Sequence, residues 1–556
     1  MRARGVAATI LLFAAALALA WAFVIALSGG FATGGFTARD PLRPLIASAI
    51  LAAAGRILSP FDFDLALGRL AGSREDWPAR AAAAVAVAVF VVSTAWGTRA
   101  AGGSDSSCYV LQAEAFARGQ ARLWHPLAVA VPDATPAMFA PAGFLPSRDR
   151  PGAAVPICAP GLALAMAAVS RVTAPAAVFL VVPVSAAIAV WLTFVFGRRA
   201  ASDAAGAAAA VLLACSPVFL YQAVQPMSDV PATALWLAAL TATASGDRRG
   251  HIVGGVCASL TALMRPNLAI AVLPLLALLR DGGAWVRWGL AAAPGVIAFA
   301  WLNQVRYGSP LATGYGETGA LFSWAHVAAN LARYPAWLIE TESPLIVLAL
   351  AAPWSVPRDR AGTRLAMVAL GSSALVVLTY VAYSVFDDWW YLRFLLPALP
   401  VLLVYSAAVL LGLVPPRTRR FAAAALCIAL GGWYLRVAAS RHVFELRTLE
   451  SRYVLAGRFA ARELPQDAVV IAGAQSGSIR YHGRRPTIAW EGVPPNRLDA
   501  VAAALRGAGH AVFIVLEDAE TPAFRQRFGA EQLGRLDWAP AAEIPAAGRV
   551  RFYRVP

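Results

Sequence analysis

Two acids and an arginine stand where long apolar runs give way to polar sequence. Asp105 follows the apolar run 80–96, Asp229 lies between the runs 204–222 and 231–245, and Arg393 falls in FDDWWYLRFLLP (386–397) at the start of another. A carboxylate can take a proton from a hydroxyl, and a guanidinium offers a fork of N–H donors to a phosphate. Together they suit a reaction in which one group receives a proton and another steadies a departing oxyanion at a lipid–water boundary. Each has a plainer reading. An Asp ahead of a helix is an ordinary N-cap worth ~1 kcal/mol, and a cap stabilises the anion and so weakens it as a base. Asp229, beside Ser228 and before Pro231, fits a helix start equally well. Arg393 could anchor at the interface or pair with Asp387 or Asp388, and Arg265, between two short apolar runs, could snorkel.

The elements that must position these groups can be read around them. In GTRAAGGSDSSCYVLQAEAFARGQARLWHP (97–126), Tyr109, Gln112, Ala113 and Phe116 recur at helical spacing and Gly119 is a stop, which predicts a short helix along the membrane surface. The polar stretch 97–160 is too long for a mere connection. Pro156, Pro160 and Gly161 would break any simple helix near its end. Another loop opens with WLNQVRYGSPLATGYG (301–316), where glycines permit close backbone approach and Tyr307 and Tyr315 offer hydroxyls and stacking surface. His125 and His326 have no nucleophile beside them and read as structural or surface residues. The five cysteines show no metal-ligand spacing. Cys108 and Cys158 could face the same compartment, but sequence supplies no geometry for a bond, and free thiols are the expectation.

Composition sets the wider frame. The chain has 556 residues, 59% hydrophobic and 14% charged, against about 25% charged in soluble domains. Apolar runs near 6–28, 42–58, 80–96, 176–196, 204–222, 231–245, 252–264, 267–279, 288–302, 343–356, 366–385, 394–414 and 421–437 predict a polytopic membrane protein with about thirteen spans. Several runs are short, and the pair split by Arg265-Pro266-Asn267 is the most doubtful as two spans. The run 6–28 reads as a first span, since it is long for a signal peptide. The net charge of +16 comes from arginine alone. Short loops with Arg198/Arg199, Arg248/Arg249, Arg280/Arg287, Arg358/Arg360/Arg364 and Arg417/Arg419/Arg420 fall on one side, with Arg2, Arg4 and the loop 56–80. This puts the N-terminus in the cytoplasm and the Asp105, Asp229, Tyr307/Tyr315 and Arg393 stretches outside. Charge placed in membrane loops argues against nucleic acid and for anionic head groups or a phosphate-bearing substrate.

GGSDSSCYVLQA (102–113) resembles the first large extracytoplasmic loop of the GT-C membrane glycosyltransferases. These are the polyprenyl-phosphate-sugar enzymes of glycosyltransferase family 39, related to protein O-mannosyltransferases and to the lipid A aminoarabinose transferase. Bacterial members often read GG-[AS]-D-S-x-x-Y-x-x-Q-A there. The proline-rich AVPICAPGLALAMA (154–167), the acid in CSPVFLYQAVQPMSDVPATALW (215–236), the N-x-x-x-YG-x-P texture of 303–316 and the late W-Y-x-R-F-x-x-P piece (390–397) follow in the family's order. The chain departs from the pattern at Cys158, where members often carry Tyr-Pro. The resemblance implies transfer of a sugar from a polyprenyl-phosphate donor to a lipid, polysaccharide or protein at the outer face of the cytoplasmic membrane, by inverting displacement. It implies Asp105 as base, Asp229 as a second catalytic acid, and Arg393, Tyr391, Tyr109, Gln112, Tyr307 and Tyr315 as substrate contacts. A divalent cation (Mg or Mn) on Asp105 and Asp229 is left open, because a metal site needs more oxygen ligands than can be assigned.

After about residue 440 the composition changes. A helix-like stretch (444–462) precedes AVVIAGA (468–474) and AVFIVLE (511–517), which read as buried strands, with helices over 496–507 and 518–529. The expectation is a GT-C membrane domain over 1–440 and a small extracytoplasmic α/β domain over 441–556. QSGSIRYHGRRPTIAW (475–490) reads as a structural turn sooner than an acceptor site. A transporter or flippase would show internal repeats and ionisable residues near mid-membrane, and neither is visible. A non-catalytic scaffold on the same fold is the other alternative.

Overall fold

The computed structural model describes residues 31–33, 36–38, 42–58, 77–129, 135–316, 321–356 and 359–556, and before them positions 11, 14, 15 and 18. Most of the expected first span, Arg2, Arg4, most of the loop 56–80 and Arg358 lie outside the described residues. Short antiparallel strands β1 (Phe31–Thr33) and β2 (Phe36–Ala38) precede helices α1 (Leu42–Leu58) and α2 (Trp77–Ala95). Next come α3 (Gly103–Ala117), strands β3 (Leu123–Trp124), β4 (Phe144–Pro146) and β5 (Ala153–Pro156), and α4 (Pro160–Val172). The helical body continues through α5 (Val181–Ala200), α6 (Asp203–Cys215), α7 (Pro217–Ala223), α8 (Asp229–Thr243), α9 (Arg248–Met264) and α10 (Gly282–Tyr307). It ends with α11 (Val327–Glu342), α12 (Arg360–Val381), α13 (Leu399–Gly412) and α14 (Arg419–Ser440).

Among the described residues, five helical stretches are long and apolar enough to cross a membrane, or up to eight if each of three bent pairs is one span. The five are Trp77–Ala95, Pro175–Ala200, Gly282–Tyr307, Arg360–Val381 and Arg419–Ser440. The expected count of about thirteen is not shown among these residues, where several of the apolar runs are short or bent. The runs 231–245 and 252–264 are helices of 15 and 17 residues, and at 1.5 Å per residue a 15-residue helix is about 22 Å long, short of a ~30 Å hydrocarbon core. Other runs are bent, by 61° after Cys215 and by 105° after Glu342. The two bends meet: the Ser216 hydroxyl donates to Glu342 Oε1 at 2.5 Å, and Tyr434 donates to the Glu342 carbonyl. On α10 the apolar Trp285, Leu290, Ile297 and Trp301 remain exposed, a face suited to lipid.

An α/β body packs on one end of the helices. Helix α15 (Ser451–Glu463) leads to strands β6 (Val469–Ala472) and β7 (Thr487–Ala489), helix α16 (Leu498–Gly507), strand β8 (Val512–Glu517), helix α17 (Thr521–Phe528), and strands β9 (Ala542–Ile544) and β10 (Val550–Arg554). The sheet order is β7-β6-β8-β10-β9, with β6 parallel to both neighbours and β10 antiparallel to both of its own. Alternation along β6 explains the layers. Val469 and Ile471 face Leu505, Phe524 and Phe528 of α16 and α17, while Val470 and Ala472 face Ala456 and Ala460 of α15. Leu127, Met138 and Phe139 complete the first of these cores, so the stretch after α3 folds as part of this body.

Two histidines clasp the joint. His125 Nε2–H donates to the Thr487 carbonyl at 2.7 Å while Nδ1 accepts from Leu127 N–H at 3.3 Å, and His482 Nε2 accepts from Ala101 N–H at 3.2 Å. Burial, with Arg480 nearby, lowers His125 to about 4, and burial with Arg458 and Arg484 lowers His482 to about 3. An unfolded histidine titrates near 6.5, so between those values the unfolded chain binds more protons and stability falls with falling pH. The melting temperature of the purified chain is expected to hold above about pH 6.5 and to drop steadily towards pH 4. His125→Gln should flatten part of that slope. A melting temperature constant down to pH 4 would refute the assignment.

Candidate active site

Four elements deliver charged side chains to one cavity. The first turn of α3 carries Asp105 as its third residue, with Gly102 at the cap position, so Asp105 is not the N-cap. It lies in the turn where the helix dipole favours an anion. Helix α8 begins on Asp229, and the preceding Ser228 makes no side-chain cap, its hydroxyl accepting from Tyr109 OH at 2.8 Å. Arg265 ends α9 in an extended conformation (φ −147°, ψ 95°), which the following Pro266 favours by excluding the helical region. Arg393 sits in a 3-10 turn, Trp389–Leu395, ahead of α13.

The charges form two pairs. Arg393 Nη2 lies 2.9 Å from Asp105 Oδ2, and Arg265 Nη1 lies 2.6 Å from Asp229 Oδ1. The second pair is the deeper, with side-chain exposure of 13% for Arg265 and 2% for Asp229. Arg265 corrects the snorkelling alternative: it turns inward, over the rings of Tyr380 and Phe394 at 5.9 and 5.6 Å. Arg393 lies over Tyr391 and Phe394 at 5.5 and 5.2 Å. Its acid is Asp105 and neither of its sequence neighbours, since Asp387 pairs with Arg333 at 2.7 Å. Stacked rings brace the wall, Tyr391 on Phe386 at 3.9 Å and Phe394 on Tyr380 at 4.7 Å. An aromatic wall with charged groups beside it suits a sugar, whose C–H faces are apolar and whose hydroxyls are not.

The cavity encloses about 400 Å³. Asp105, Asp229, Arg393, Tyr391, Tyr109, Tyr307 and Tyr315 all line it. Two of those tyrosines have their hydroxyls engaged, Tyr109 by Ser228 and Tyr307 by the Pro156 carbonyl at 2.5 Å. Gln112 does not reach the cavity. It is buried, and in the amide orientation that satisfies both groups its oxygen accepts from Arg306 Nη1 and Nη2 at 2.8 and 2.7 Å. The reason is that α3 is enclosed on nearly every side, Ser107 through Ala113 being buried in succession, so it does not lie along a surface. Arg265, Asn267, Tyr380 and Tyr383 also line the cavity and were not singled out as site residues from sequence. The interruption Arg265-Pro266-Asn267 was their signal, because an arginine and an amide between apolar runs need polar company.

Cys108 and Cys158 are joined in a disulfide, against the expectation of free thiols. It ties α3 to the stretch before α4, and Cys158 itself lines the cavity. Among the described residues the donor set does not fit a divalent cation. Magnesium and manganese want several oxygen ligands, whereas here two carboxylates each face a guanidinium, and among the described residues no three His, Cys, Asp or Glu side chains gather.

No family model matches the chain, and no curated protein matches it in sequence. In fold it is similar to solved membrane glycosyltransferases of the GT-C type. ArnT from Cupriavidus metallidurans bound to undecaprenyl phosphate superposes with a TM-score of 0.55 at 13% identity, over 84% of this chain and 97% of that one. The Archaeoglobus fulgidus oligosaccharyltransferase tethered to an acceptor peptide gives 0.52 at 12% identity, over 87% of this chain and 74% of that one. The same archaeal enzyme in complex with Zn and sulfate gives 0.52 at 12% identity, over 80% and 69%. At such identities the likeness is one of architecture.

Proposed function

We propose that this chain is a glycosyltransferase of the cytoplasmic membrane that moves a sugar from a polyprenyl-phosphate donor to an acceptor hydroxyl at the outer face. The observation that carries the reading is the pair of Asp–Arg couples in one cavity, within a fold shared with a protein crystallised on undecaprenyl phosphate. Among the described residues the cluster is balanced, two acids against two guanidiniums. A phosphodiester entering it brings a negative charge and acceptor oxygens to which a guanidinium fork can bond. Arg393 exchanges Asp105 for the donor phosphate, and the freed carboxylate turns to the acceptor. The acceptor oxygen then attacks C1 of the sugar as its proton passes to Asp105. The bond from C1 to the phosphate oxygen breaks, and the charge left on the lipid phosphate is held by Arg393 and Arg265. Attack opposite the leaving group inverts C1. Asp229 keeps Arg265 aimed at the phosphate and is a positioning residue. The arginine-rich short loops support a cytoplasmic N-terminus with the cavity and the α/β body outside.

The test is direct. Purified protein in lipid nanodiscs is given a panel of polyprenyl-phosphate pentoses, hexoses and aminopentoses, with a cell-envelope extract as acceptor. Release of polyprenyl phosphate coupled to appearance of sugar in the extract is the expected result for at least one donor. In liposomes, movement of an intact lipid-linked sugar across the bilayer without cleavage would replace this reading with transport.

A further inference from the structure

A second opening, of about 490 Å³, lies beside the first turn of α3. Its walls come from both halves of the α/β body: Pro141, Phe144 and Leu145 on one side, Ala474, Glu491 and Glu520 on the other. Ser104 is exposed and lines this groove and the charged cavity alike, and Asp105 is the next residue. A molecule lying in the groove therefore has one end within reach of the carboxylate that the proposed reaction needs.

The groove is held open by main-chain packing. Gly143 has φ +86°, and a Cβ there would stand 2.1 Å from the Ser104 carbonyl oxygen. A Cβ on Gly492 would stand 2.4 Å from the Ala137 carbonyl carbon. Such approaches leave no room for collapse. Glu520 is fixed by two N–H donors, from Ala474 at 2.8 Å and Glu517 at 3.2 Å.

The lining selects its occupant. Apolar faces of proline, phenylalanine and leucine stand opposite two carboxylates. An anionic ligand would meet like charge, whereas a glycan presents C–H faces to the first and hydroxyl donors to the second. A peptide adding to the sheet edge is disfavoured. The edge strand β7 has its Thr487 carbonyl taken by His125, and the Gly492 carbonyl beyond it accepts from Thr135.

We infer that this groove binds the acceptor, and that the acceptor is a neutral, hydroxyl-rich glycan seated between the apolar wall and Glu491 and Glu520, with its reactive hydroxyl turned past Ser104 towards Asp105. The inference rests on the glycosyltransferase reading and extends it to a substrate class. Its test uses the full-length protein and a partial acid hydrolysate of envelope polysaccharide, split on an anion exchanger into neutral and anionic glycans, beside a peptide digest of envelope proteins. Labelled sugar is expected in the neutral fraction. Glu491→Gln should raise the KM for that fraction about tenfold, the loss expected for one hydrogen bond to a charged group. Ala474→Trp, which fills the groove, should raise it further, with melting curves confirming that both variants fold. Transfer mainly to anionic glycans or peptides, or a wild-type KM in both folded variants, overturns the inference. Wild-type donor cleavage, run alongside, separates the two readings. If no donor is cleaved, the glycosyltransferase reading falls and this one with it; if donor is cleaved and the variants keep the wild-type KM, only the groove assignment falls.

Discussion

Asp105→Asn is expected to lower sugar transfer at least about a hundredfold while donor binding and protein level stay near wild type. The substitution keeps the shape of the side chain and one oxygen that can accept from Arg393. It removes the capacity to take a proton, and with it the ~10²–10⁴-fold that a positioned base contributes. The local structure predicts that the fold survives. Asp105 is not the cap of α3, its side chain is 34% exposed, and it pairs with an arginine that also stacks on Tyr391 and Phe394. The measurement is transfer from a radiolabelled polyprenyl-phosphate sugar in membranes carrying either protein, with donor binding assayed in parallel. Equal transfer would remove Asp105 from the mechanism.

Arg265→Gln is expected to do more damage of a different kind. It leaves Asp229, whose side chain is 2% exposed, without its counter-charge. Removing one partner of a buried pair costs about 3–5 kcal/mol, so the melting temperature should fall sharply and transfer with it. The double variant Asp229→Asn/Arg265→Gln separates the two contributions, since it removes both charges and leaves neutral hydrogen-bonding groups. It should recover most of the lost thermal stability. Transfer should stay depressed by about a hundredfold or more, because the guanidinium proposed to hold the departing phosphate is still missing. Recovery of transfer together with stability would reduce the pair to a structural role.

Legibility in the sequence followed distance along the chain. Asp105 could be read because its neighbours Gly102 to Ala113 form one contiguous pattern at the end of an apolar run. The β6 and β8 strands are legible because they are unbroken apolar stretches, whereas β9 and β10 are not, one being three residues long and the other interrupted by Arg551 and ended by Arg554. Arg265 stands out in the sequence but its role does not, because its partner lies 36 residues away and the direction of its side chain is set by the backbone at Pro266. Gln112 lies away from the cavity lining for a related reason. Helical spacing puts it on the face of Tyr109, but only packing reveals that Arg306 covers that position. Hydropathy records apolar runs and is blind to the bends at Ser216 and Ser343, so among the described residues the expected span count is not shown.

The bond between Cys108 and Cys158 ties the proposed site to the route by which the chain enters the membrane. Disulfides form and persist in oxidising compartments and are reduced in the cytosol. On the proposed orientation, the helix bearing Asp105 and the cavity residue at position 158 are locked together only after the stretch between α2 and α4 has crossed the bilayer. A chain inserted upside down would keep two thiols, and its α3 would lack this tie. On that orientation, translocation acts as a checkpoint that couples a correctly oriented chain to a fully braced site.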